Sequence, residues 1–368
     1  MFSRTARKSE PIVAARLAPG VSAAVGHWRA ASSMATARQF HTNTLLANGS
    51  VLVVGGVGAG GELSSAEVFD PLTLTWRATR PLAAARYYHS ATLLANGCVL
   101  VAGGFNGSYL GSAELYDPVA DTWCSASSML AVHGLHSATR LASGLVLVAG
   151  GYATQGVFNR AELYDPATNS WQRARSLITG REYHTATLLA DGTVLLAGGA
   201  GPSGPVLTTE LYDPLWSTWH PGAALSTGRL RHTATLLDNG RLLVAAGDDG
   251  ASNYLSSAEF YEPKTNAWYA AGKLAFGREY CTATALTNGS VLVVGGDGSS
   301  GRLASAELYE ATSNAWRSAG NILQARYLHS ATRLSDGQVL ITGGVGTHGA
   351  LASVELFCAH RSALVDEQ

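Results

Sequence analysis

Histidines recur at one phase of this sequence, and imidazole is both a common metal ligand and a general base near neutral pH. The phrase RYYHSATLLANGCVLVAGG begins at Arg86, and the closely similar REYHTATLLADGTVLLAGG begins at Arg181. The same phase carries a histidine six times and a cysteine once: His41, His89, His136, His184, His232, Cys281 and His329. Such a set invites a metal site, but a residue that every unit repeats is one that every unit needs. We therefore predict a structural role for these histidines, and neither a bound metal nor a cofactor.

Arginines and glutamates share the period of the histidines. An arginine lies three residues before the histidine position in all units but the third, where His133 replaces it: Arg38, Arg86, Arg181, Arg229, Arg278 and Arg326. Each unit also has one glutamate: Glu67, Glu114, Glu162, Glu210, Glu259, Glu307 and Glu355. A buried carboxylate needs donors, so we expect each glutamate to accept hydrogen bonds from arginine, histidine or nearby backbone amides. The sequence thus predicts a structural ring made of Arg86, His89, Glu114, Glu162, Arg181, His184, Glu210 and their equivalents.

These side chains belong to a repeat of 47 to 49 residues that runs through the chain seven times. Each unit has a glycine pair or its equivalent: Gly55-Gly56, Gly103-Gly104, Gly150-Gly151, Gly198-Gly199, Ala246-Gly247, Gly295-Gly296 and Gly343-Gly344. Each unit also has a tryptophan: Trp28, Trp76, Trp123, Trp171, Trp219, Trp268 and Trp316. Asn-Gly or Asp-Gly pairs predict a two-residue hairpin turn with positive φ, and Asp-Pro predicts a second turn. Each unit should be a four-stranded antiparallel meander that buries its faces against its neighbours.

The order of these landmarks predicts a closed ring. Trp28 precedes the first glycine pair, whereas no tryptophan follows Glu355. The strand that carries Trp28 should therefore pair beside residues 354–357 and complete the last sheet, which removes two open edges. We predict an all-β, seven-bladed β-propeller, closed three strands plus one, over residues 23–358, with a flexible leader at 1–22 and a tail at 359–368.

The glycine pair, the glutamate, Tyr-Asp-Pro and the spaced tryptophan resemble kelch repeats over roughly residues 28–358. The His-Ser/Thr-Ala-Thr-Leu start is similar to that of bacterial kelch proteins. The resemblance implies a β-propeller that serves as an interaction module or, less often, as an enzyme.

The Tyr-His phrase also resembles the propeller domain of galactose oxidase and glyoxal oxidase, in which such a pair binds copper and a second tyrosine is cross-linked to cysteine. Tyr88-His89 and Tyr183-His184 match this pair locally. The pair, however, occurs in more than one unit, and Cys281 and Tyr327 are out of phase with the cross-linked residues. A further domain with another histidine is also not expected in the eleven residues from Cys358 onward.

Composition disfavours several partners. Charged residues make up 14% of the chain and the formal net charge is -1, which does not suit a nucleic-acid partner. No apolar run reaches the roughly 18 residues of a membrane span. The four cysteines have no CxxC or metal-type spacing, which fits a reducing, cytoplasmic location; the alternative is secretion after removal of a signal peptide.

Segments that break the repeat indicate where binding occurs. The loops after the glycine pairs differ between units, and they should share one face with the connections that precede the histidines. We predict that this face binds the partner, with Phe105 and Phe158 as additional loop contacts. The main candidates are Tyr87, Tyr88, Tyr109, Tyr152, Glu182, Tyr183, Arg231, Asp248, Asp249, Tyr254, Glu279, Tyr280, Asp297 and Tyr327.

Signatures of common catalytic sites are missing from the sequence, which has no GxSxG, HExxH or GxxxxGK. We therefore predict a non-catalytic propeller that binds a partner protein. A carbohydrate-binding, lectin-like propeller is the alternative, because exposed aromatic rings and acids suit sugars. A radical-copper oxidase is the third and least favoured interpretation.

Overall fold

The computed structural model describes residues 26–251 and 253–359. The predicted leader and the predicted tail, apart from residue 359, lie outside these residues. The described chain forms seven four-stranded antiparallel sheets arranged as the blades of a propeller, so the predicted fold class is confirmed.

Blades 1 to 4 each use four consecutive long strands. Blade 1 has Thr42–Leu45, Val51–Val54, Ala66–Asp70 and Thr75–Ala78. Blade 2 has Ser90–Leu93, Val99–Ala102, Ala113–Asp117 and Thr122–Ala126. Blade 3 has Ser137–Arg140, Val146–Ala149, Ala161–Asp165 and Ser170–Ala174. Blade 4 has Thr185–Leu188, Val194–Ala197, Thr209–Asp213 and Thr218–Pro221.

Blades 5 and 6 follow the same order, and blade 7 takes its fourth strand from the start of the described chain. Blade 5 has Thr233–Leu236, Leu242–Ala245, Ser257–Glu262 and Ala267–Lys273. Blade 6 has Thr282–Ala285, Val291–Val294, Ser305–Glu310 and Ala315–Asn321. Blade 7 has Ser330–Arg333, Val339–Thr342, Val354–Cys358 and His27–Ala31.

In five blades the loop between the second and third strands forms a short hairpin of two strands of two residues each. They are Val57–Gly58 with Gly61–Glu62, Tyr152–Ala153 with Gly156–Val157, Ala200–Gly201 with Gly204–Pro205, Asp297–Gly298 with Gly301–Arg302, and Val345–Gly346 with Gly349–Ala350.

The ring closes as predicted. Trp28 is paired with Phe357 in antiparallel register, and their ring centroids lie 4.9 Å apart. The Trp28 indole Nε1 donates to the carbonyl of Ala319 in blade 6 at 3.0 Å. The first strand of the described chain thereby covers what would otherwise be the open outer edge of blade 7.

The first hairpin turn of each blade differs from the predicted two-residue turn. In blade 1, Gly49 N donates to Leu46 O at 3.0 Å and Leu46 N donates to Ser50 O at 2.8 Å, which makes a three-residue loop. Gly49 has a φ of 86°, whereas Asn48 is not among the residues with positive φ. These features identify a type I turn followed by a glycine bulge. The Asn48 side chain supports the turn by accepting a hydrogen bond from Ser50 N at 3.0 Å.

The core lies between blades and not within them. Second strands such as Val51–Val54 are buried along their whole length. Side chains of neighbouring blades form seven apolar clusters, one of which joins Leu52 of blade 1 to Val99 and Tyr116 of blade 2. Burying each such side chain contributes about 1.5–3 kcal/mol to the free energy of folding. Because this burial occurs between blades, an isolated blade would expose most of these side chains to water.

The first strands of neighbouring blades lie against one another around the central axis. Loops between second and third strands, together with the connections from one blade to the next, lie at one end of the ring, which we call the loop face. The turns inside each hairpin lie at the other end, the short-turn face.

Candidate functional site

The connections that lead into the first strands form the mouth of the central channel on the loop face. In every blade the residue immediately before the histidine position has a φ between 50° and 60°: Phe40, Tyr88, Leu135, Tyr183, Arg231, Tyr280 and Leu328. We call these seven residues the mouth ring. Left-handed backbone costs about 1–3 kcal/mol for such residues, so the surrounding structure must hold it in place. Because all blades share this conformation it belongs to the architecture, whereas the side-chain type at each position is free to differ.

Backbone hydrogen bonds run from blade to blade around the mouth ring. Five N–H···O=C bonds of 3.1–3.4 Å, with the donor first, are Phe40 to Leu328, Leu135 to Tyr88, Arg231 to Tyr183, Tyr280 to Arg231 and Leu328 to Tyr280. The mouth is consequently a rigid platform and not a set of independent loops.

Aromatic side chains of the mouth ring meet across the channel axis. Phe40 of blade 1 is edge-on to Tyr280 of blade 6, with ring centroids 6.3 Å apart. Tyr183 of blade 4 lies 6.3 Å from Tyr88 of blade 2 and 6.1 Å from Tyr280. These pairs of blades are not adjacent in the ring, so the aromatic rings close over the mouth of the channel.

Arg231 is the one charged member of the mouth ring. Its guanidinium carbon lies 5.0 Å from the ring centroid of Tyr183 and 5.0 Å from that of Tyr280. Its Nη1 also donates to Glu279 at 3.0 Å and to Asp248 at 3.4 Å. The cation is therefore held by two aromatic faces and two carboxylates.

Burial changes the protonation of this cluster. Burial, and after it the neighbouring Asp248, raise the pKa of Glu279 to about 7. Burial also raises the pKa of Tyr280 to about 12 and raises the pKa values of Tyr88 and Tyr183 further. The three phenols are thus neutral at physiological pH, whereas Glu279 takes up a proton more readily than an exposed glutamate does.

A second tier of residues surrounds the mouth ring. In each blade the residue two positions before the histidine bridges to the first residue after the glycine pair: Gln39 to Val57, Tyr87 to Phe105, Gly134 to Tyr152, Glu182 to Ala200, Leu230 to Asp248, Glu279 to Asp297, and Tyr327 to Val345. The tier is acidic in blades 4 to 6 and uncharged elsewhere. We call its four carboxylates, Glu182, Asp248, Glu279 and Asp297, the acidic sector.

Most of the predicted binding residues lie together in these two tiers and the loops above them. Phe105 joins Tyr87 to Tyr109 with centroid distances of 5.6 and 5.0 Å, and Tyr109 lies 5.7 Å from Tyr152. On the acidic side, the Tyr254 hydroxyl donates to Asp297 at 3.2 Å.

Tyr327 of blade 7 lies next to the blade 6 end of the acidic sector. Its ring centroid is 6.3 Å from that of Tyr280 and 5.6 Å from the guanidinium carbon of Arg302.

Two of the predicted loop contacts lie elsewhere. Asp249 is half-buried, and its carboxylate accepts hydrogen bonds from the backbone of Ala251 and Asn253 at 3.0 and 3.2 Å, so it orders its own loop. The Phe158 ring lies 4.8 Å from His133 and packs inside blade 3.

Three mouth-ring residues were not singled out from the sequence: Phe40, Leu135 and Leu328. They share the phase of Tyr88 and Tyr183, so the repeat alignment alone was enough to find them.

The arginines and glutamates form buried pairs inside six of the seven blades. Arg86 Nη2 donates to Glu114 Oε1 at 2.7 Å, while Nη1 donates to the carbonyls of Gly103 and Ser112 at 2.9 and 3.1 Å. Glu114 also accepts from Ala83 N at 2.8 Å. Six blades have such a pair, with N···O distances of 2.6–3.0 Å. Each pair ties the blade-to-blade connection to the second and third strands.

The ring histidines bond to neighbouring blades. Their Nε2 atoms lie 2.9–3.0 Å from hydroxyl oxygens in the pairs His41 with Thr342, His89 with Thr42, His136 with Ser90, His184 with Ser137, His232 with Thr185, and His329 with Thr282. Burial lowers the pKa of His89, His184, His232 and His329 to about 3, so these imidazoles are neutral. Where Cys281 takes the histidine position, the Thr233 hydroxyl donates instead to Ala245 O at 3.2 Å.

Blade 3 departs from this pattern. His133 Nε2 lies 3.3 Å from Glu162 Oε1, and Nδ1 lies 3.1 Å from Gly150 O. Phe158 occupies a position that is leucine or valine in the other blades. The larger phenyl ring therefore compensates for the smaller imidazole.

The kelch motif matches four segments of the chain, residues 43–82, 86–130, 141–178 and 229–274. The chain is a kelch-repeat β-propeller. This kelch propeller is similar to a fungal alcohol oxidase of the AA5 family in complex with copper, with a TM-score of 0.76, 18% identity, and 90% of this chain and 76% of that chain covered. It is also similar to YjhT, with a TM-score of 0.61, 16% identity, and 78% and 99% covered. At these identities the likeness shows the fold alone.

No curated protein matches the kelch propeller. Its described residues include no helix with the length and apolarity that a membrane crossing requires.

The residues of this kelch propeller do not fit a copper centre like that of the oxidases. In the pair Tyr88-His89, the imidazole is buried and bonded to Thr42, while the phenol belongs to the mouth ring. Cys281 lies in an apolar cluster between blades 5 and 6, with Leu237 and Val291 among its members. Among residues 26–251 and 253–359, no group of three His, Cys, Asp or Glu side chains is close enough to hold a metal ion.

Proposed function

We propose that this kelch propeller is a binding protein that captures a partner protein on its loop face, with the mouth ring at the centre of the contact. The observation that carries the proposal is the convergence of Phe40, Tyr88, Tyr183, Arg231 and Tyr280 over the channel axis. Seven blades deliver one side chain each to this point, and five of the seven are aromatic or arginine.

The chemistry of the mouth suits a protein partner. Tyrosine and arginine are enriched among the residues that contribute most to protein interfaces, and tyrosine buries a large area while losing little conformational freedom. The rings of Tyr88, Tyr183 and Tyr280 are already held by their neighbours, so less side-chain entropy is lost on binding. The hydrogen-bonded backbone beneath them supplies the rigid support that a recognition surface needs.

The same features weigh against catalysis at the mouth. The phenols are neutral and the buried histidines are occupied by inter-blade hydrogen bonds, so the mouth lacks an imidazole base. Glu279 has a raised pKa, but its carboxylate is bonded to Arg231 at 3.0 Å, as a structural ion pair would be.

Photo-cross-linking tests the proposal directly. A benzophenone amino acid is placed at Tyr109 or Tyr152 on the loop face, and at Val119 or Leu215, which are 95% and 88% exposed on the short-turn face, as matched controls. We expect one protein to be cross-linked from both loop-face positions and from neither control. The purified partner should then bind the full chain in calorimetry.

Cross-linking from the control positions alone would overturn the proposal. Specific retention on a glycan array, without a protein cross-link, would replace it with the carbohydrate-binding alternative.

A further inference from the structure

The two tiers of the mouth are chemically asymmetric, although the fold that carries them repeats seven times. Blades 7, 1, 2 and 3 present aromatic, apolar or amide side chains in these tiers, whereas blades 4 to 6 present the acidic sector. Within the two tiers, Arg231 is the one cation against four carboxylates, and Arg302 of the adjoining hairpin is paired with Asp297, which leaves an excess of two carboxylates. Four blades close without any charge in these tiers, so the fold itself does not require the acidic sector.

The aromatic rings beside the acidic sector present their faces to cations. Tyr183 and Tyr280 enclose the guanidinium of Arg231, and Tyr327 faces that of Arg302. A ring face attracts a cation through its quadrupole, and the attraction is strengthened where water is excluded. The surface therefore combines two independent features that favour positive charge, the tyrosine faces and the carboxylates.

We propose that the loop face recognises a basic segment of its partner, whose lysine or arginine side chains lie between the acidic sector and the tyrosines of the mouth ring. This inference rests on the proposed function and specifies the chemistry of the partner. Charge complementarity selects the occupant, because an acidic segment would meet Glu182 and Asp297 with like charge. The aromatic string of Tyr87, Phe105 and Tyr109 would contact the uncharged flank of the same segment.

The crowding of carboxylates supports this assignment. Asp248 and Glu279 share a single guanidinium, at 3.4 and 3.0 Å, and burial together with Asp248 raises the pKa of Glu279 to about 7. A second cation at this point would favour the ionised form of Glu279. In the free protein two carboxylates share one guanidinium, and a basic partner would supply the second cation.

Fluorescence anisotropy with three labelled peptides tests the inference on the full chain. The peptides have 15 residues and the same glycine, serine and tyrosine positions, and they differ only in carrying five arginines, five glutamines or five glutamates. We expect the arginine peptide to bind at least about tenfold more tightly than the glutamine peptide at low salt, and this preference to shrink as salt screens the charges. Equal affinities, or tighter binding of the glutamate peptide, would overturn the inference.

Charge-neutralising variants locate the contact. Glu279→Gln with Asp297→Asn keeps side-chain shape and should lower the affinity for the arginine peptide about tenfold. Asp191→Asn with Asp336→Asn removes the same charge from exposed turns of the short-turn face and should leave the affinity unchanged. Circular dichroism and thermal melting establish that both variants are folded. Equal losses in the two variants would show a non-specific attraction and overturn the inference.

Arg231→Gln provides a second, opposite test. Removing the internal cation leaves Glu279, Tyr183 and Tyr280 open to an arginine of the ligand, so a folded variant should bind the arginine peptide more tightly. Loss of that binding, or capture of the glutamate peptide by the unmodified chain through Arg231, would contradict the assignment.

The two proposals fail in different ways. A loop-face cross-link to a protein, combined with no charge preference among the peptides, would retain partner binding and reject the basic segment. Failure of the loop-face cross-links, combined with specific arginine-peptide binding, would reject the proposed partner protein and leave a cation-selective surface.

Discussion

The hydroxyl of Thr342 lies 2.9 Å from His41 Nε2 across the seam where blade 7 meets blade 1. The side-chain amide of Asn43 donates to the same hydroxyl at 3.0 Å. The position of Thr342 is alanine or valine in the other six blades, and the position of Asn43 is alanine in them. At five other seams a histidine bonds to a hydroxyl without an asparagine beside it. The closing seam, whose last blade is completed by the strand of Trp28, adds Asn43 and thereby forms a three-residue polar lock.

Thr342→Val should destabilise the propeller by about 1–3 kcal/mol, because it removes the hydroxyl that contacts both the buried His41 and the half-buried Asn43. Thr342→Ser keeps the hydroxyl and is the matched control. Urea denaturation of both variants measures the difference, and equal stabilities would show that the lock contributes nothing.

Blade 3 offers a test of compensation between two residues. In the unmodified chain Phe158 packs on the imidazole of His133. His133→Arg alone should lower stability, because the longer side chain would clash with this phenyl ring. The double change His133→Arg with Phe158→Leu restores the pattern of the other blades. It should be more stable than the single variant by about 1–3 kcal/mol, because without the phenyl ring the guanidinium can bond to Glu162 and Gly150 without a clash.

A thermal melt of the two variants, with Phe158→Leu alone as the control, measures this coupling. Additive effects of the two changes would contradict the proposed compensation.

The neutral histidines should make the propeller sensitive to acid. The pKa of His184 is about 3 in the folded protein, whereas an unfolded histidine has a pKa of about 6.5. Between these values the unfolded chain binds a proton that the folded chain does not. The stabilisation is therefore complete above about pH 6.5 and is lost as the pH falls toward 3, by up to about 1.4 kcal/mol per pH unit for each such histidine.

His184→Cys copies the arrangement at Cys281. It should reduce the slope of the free energy of unfolding against pH by the contribution of one histidine. Urea midpoints at pH values of about 7.5, 6.5 and 5.5 give the slope. A variant with the slope of the unmodified protein would show that His184 is protonated in the folded state.

The mouth ring should matter for binding more than for folding. Replacing Tyr88, Tyr183 and Tyr280 together by alanine should abolish capture of the cross-linked partner, because about 2 kcal/mol or more is expected from each central aromatic residue. The melting temperature should fall only modestly, since the inter-blade clusters remain. The triple change Leu72→Ala, Val119→Ala and Leu215→Ala removes exposed apolar side chains from the short-turn face and is the control. Unchanged partner affinity in the tyrosine variant would remove the mouth ring from the interface.

The fold could be predicted from the sequence because each blade repeats the same local instructions. The six glycine pairs with Ala246-Gly247, the glutamates and the position of Trp28 predicted the number of blades and the closing strand, and the pairing of Trp28 with Phe357 confirms this closure. The first turn was predicted less well, since Asn-Gly is compatible both with a two-residue turn and with the three-residue loop closed by Leu46 and Ser50. The choice between them depends on the bonding of Asn48, which the residue types do not specify.

The sequence by itself determined the architecture, the asymmetric loops and the face on which the candidate binding residues lie. Only the tertiary structure decided which of those residues meet. Ring closure brings Tyr183 close to Tyr88 and Tyr280, residues about a hundred positions away in the chain, while Asp249, next to Asp248, turns back onto its own loop. The reason is physical: a repeat encodes the local geometry of one blade, whereas contacts across the axis depend on the summed curvature of all seven and on the left-handed backbone that aims each mouth-ring side chain inward.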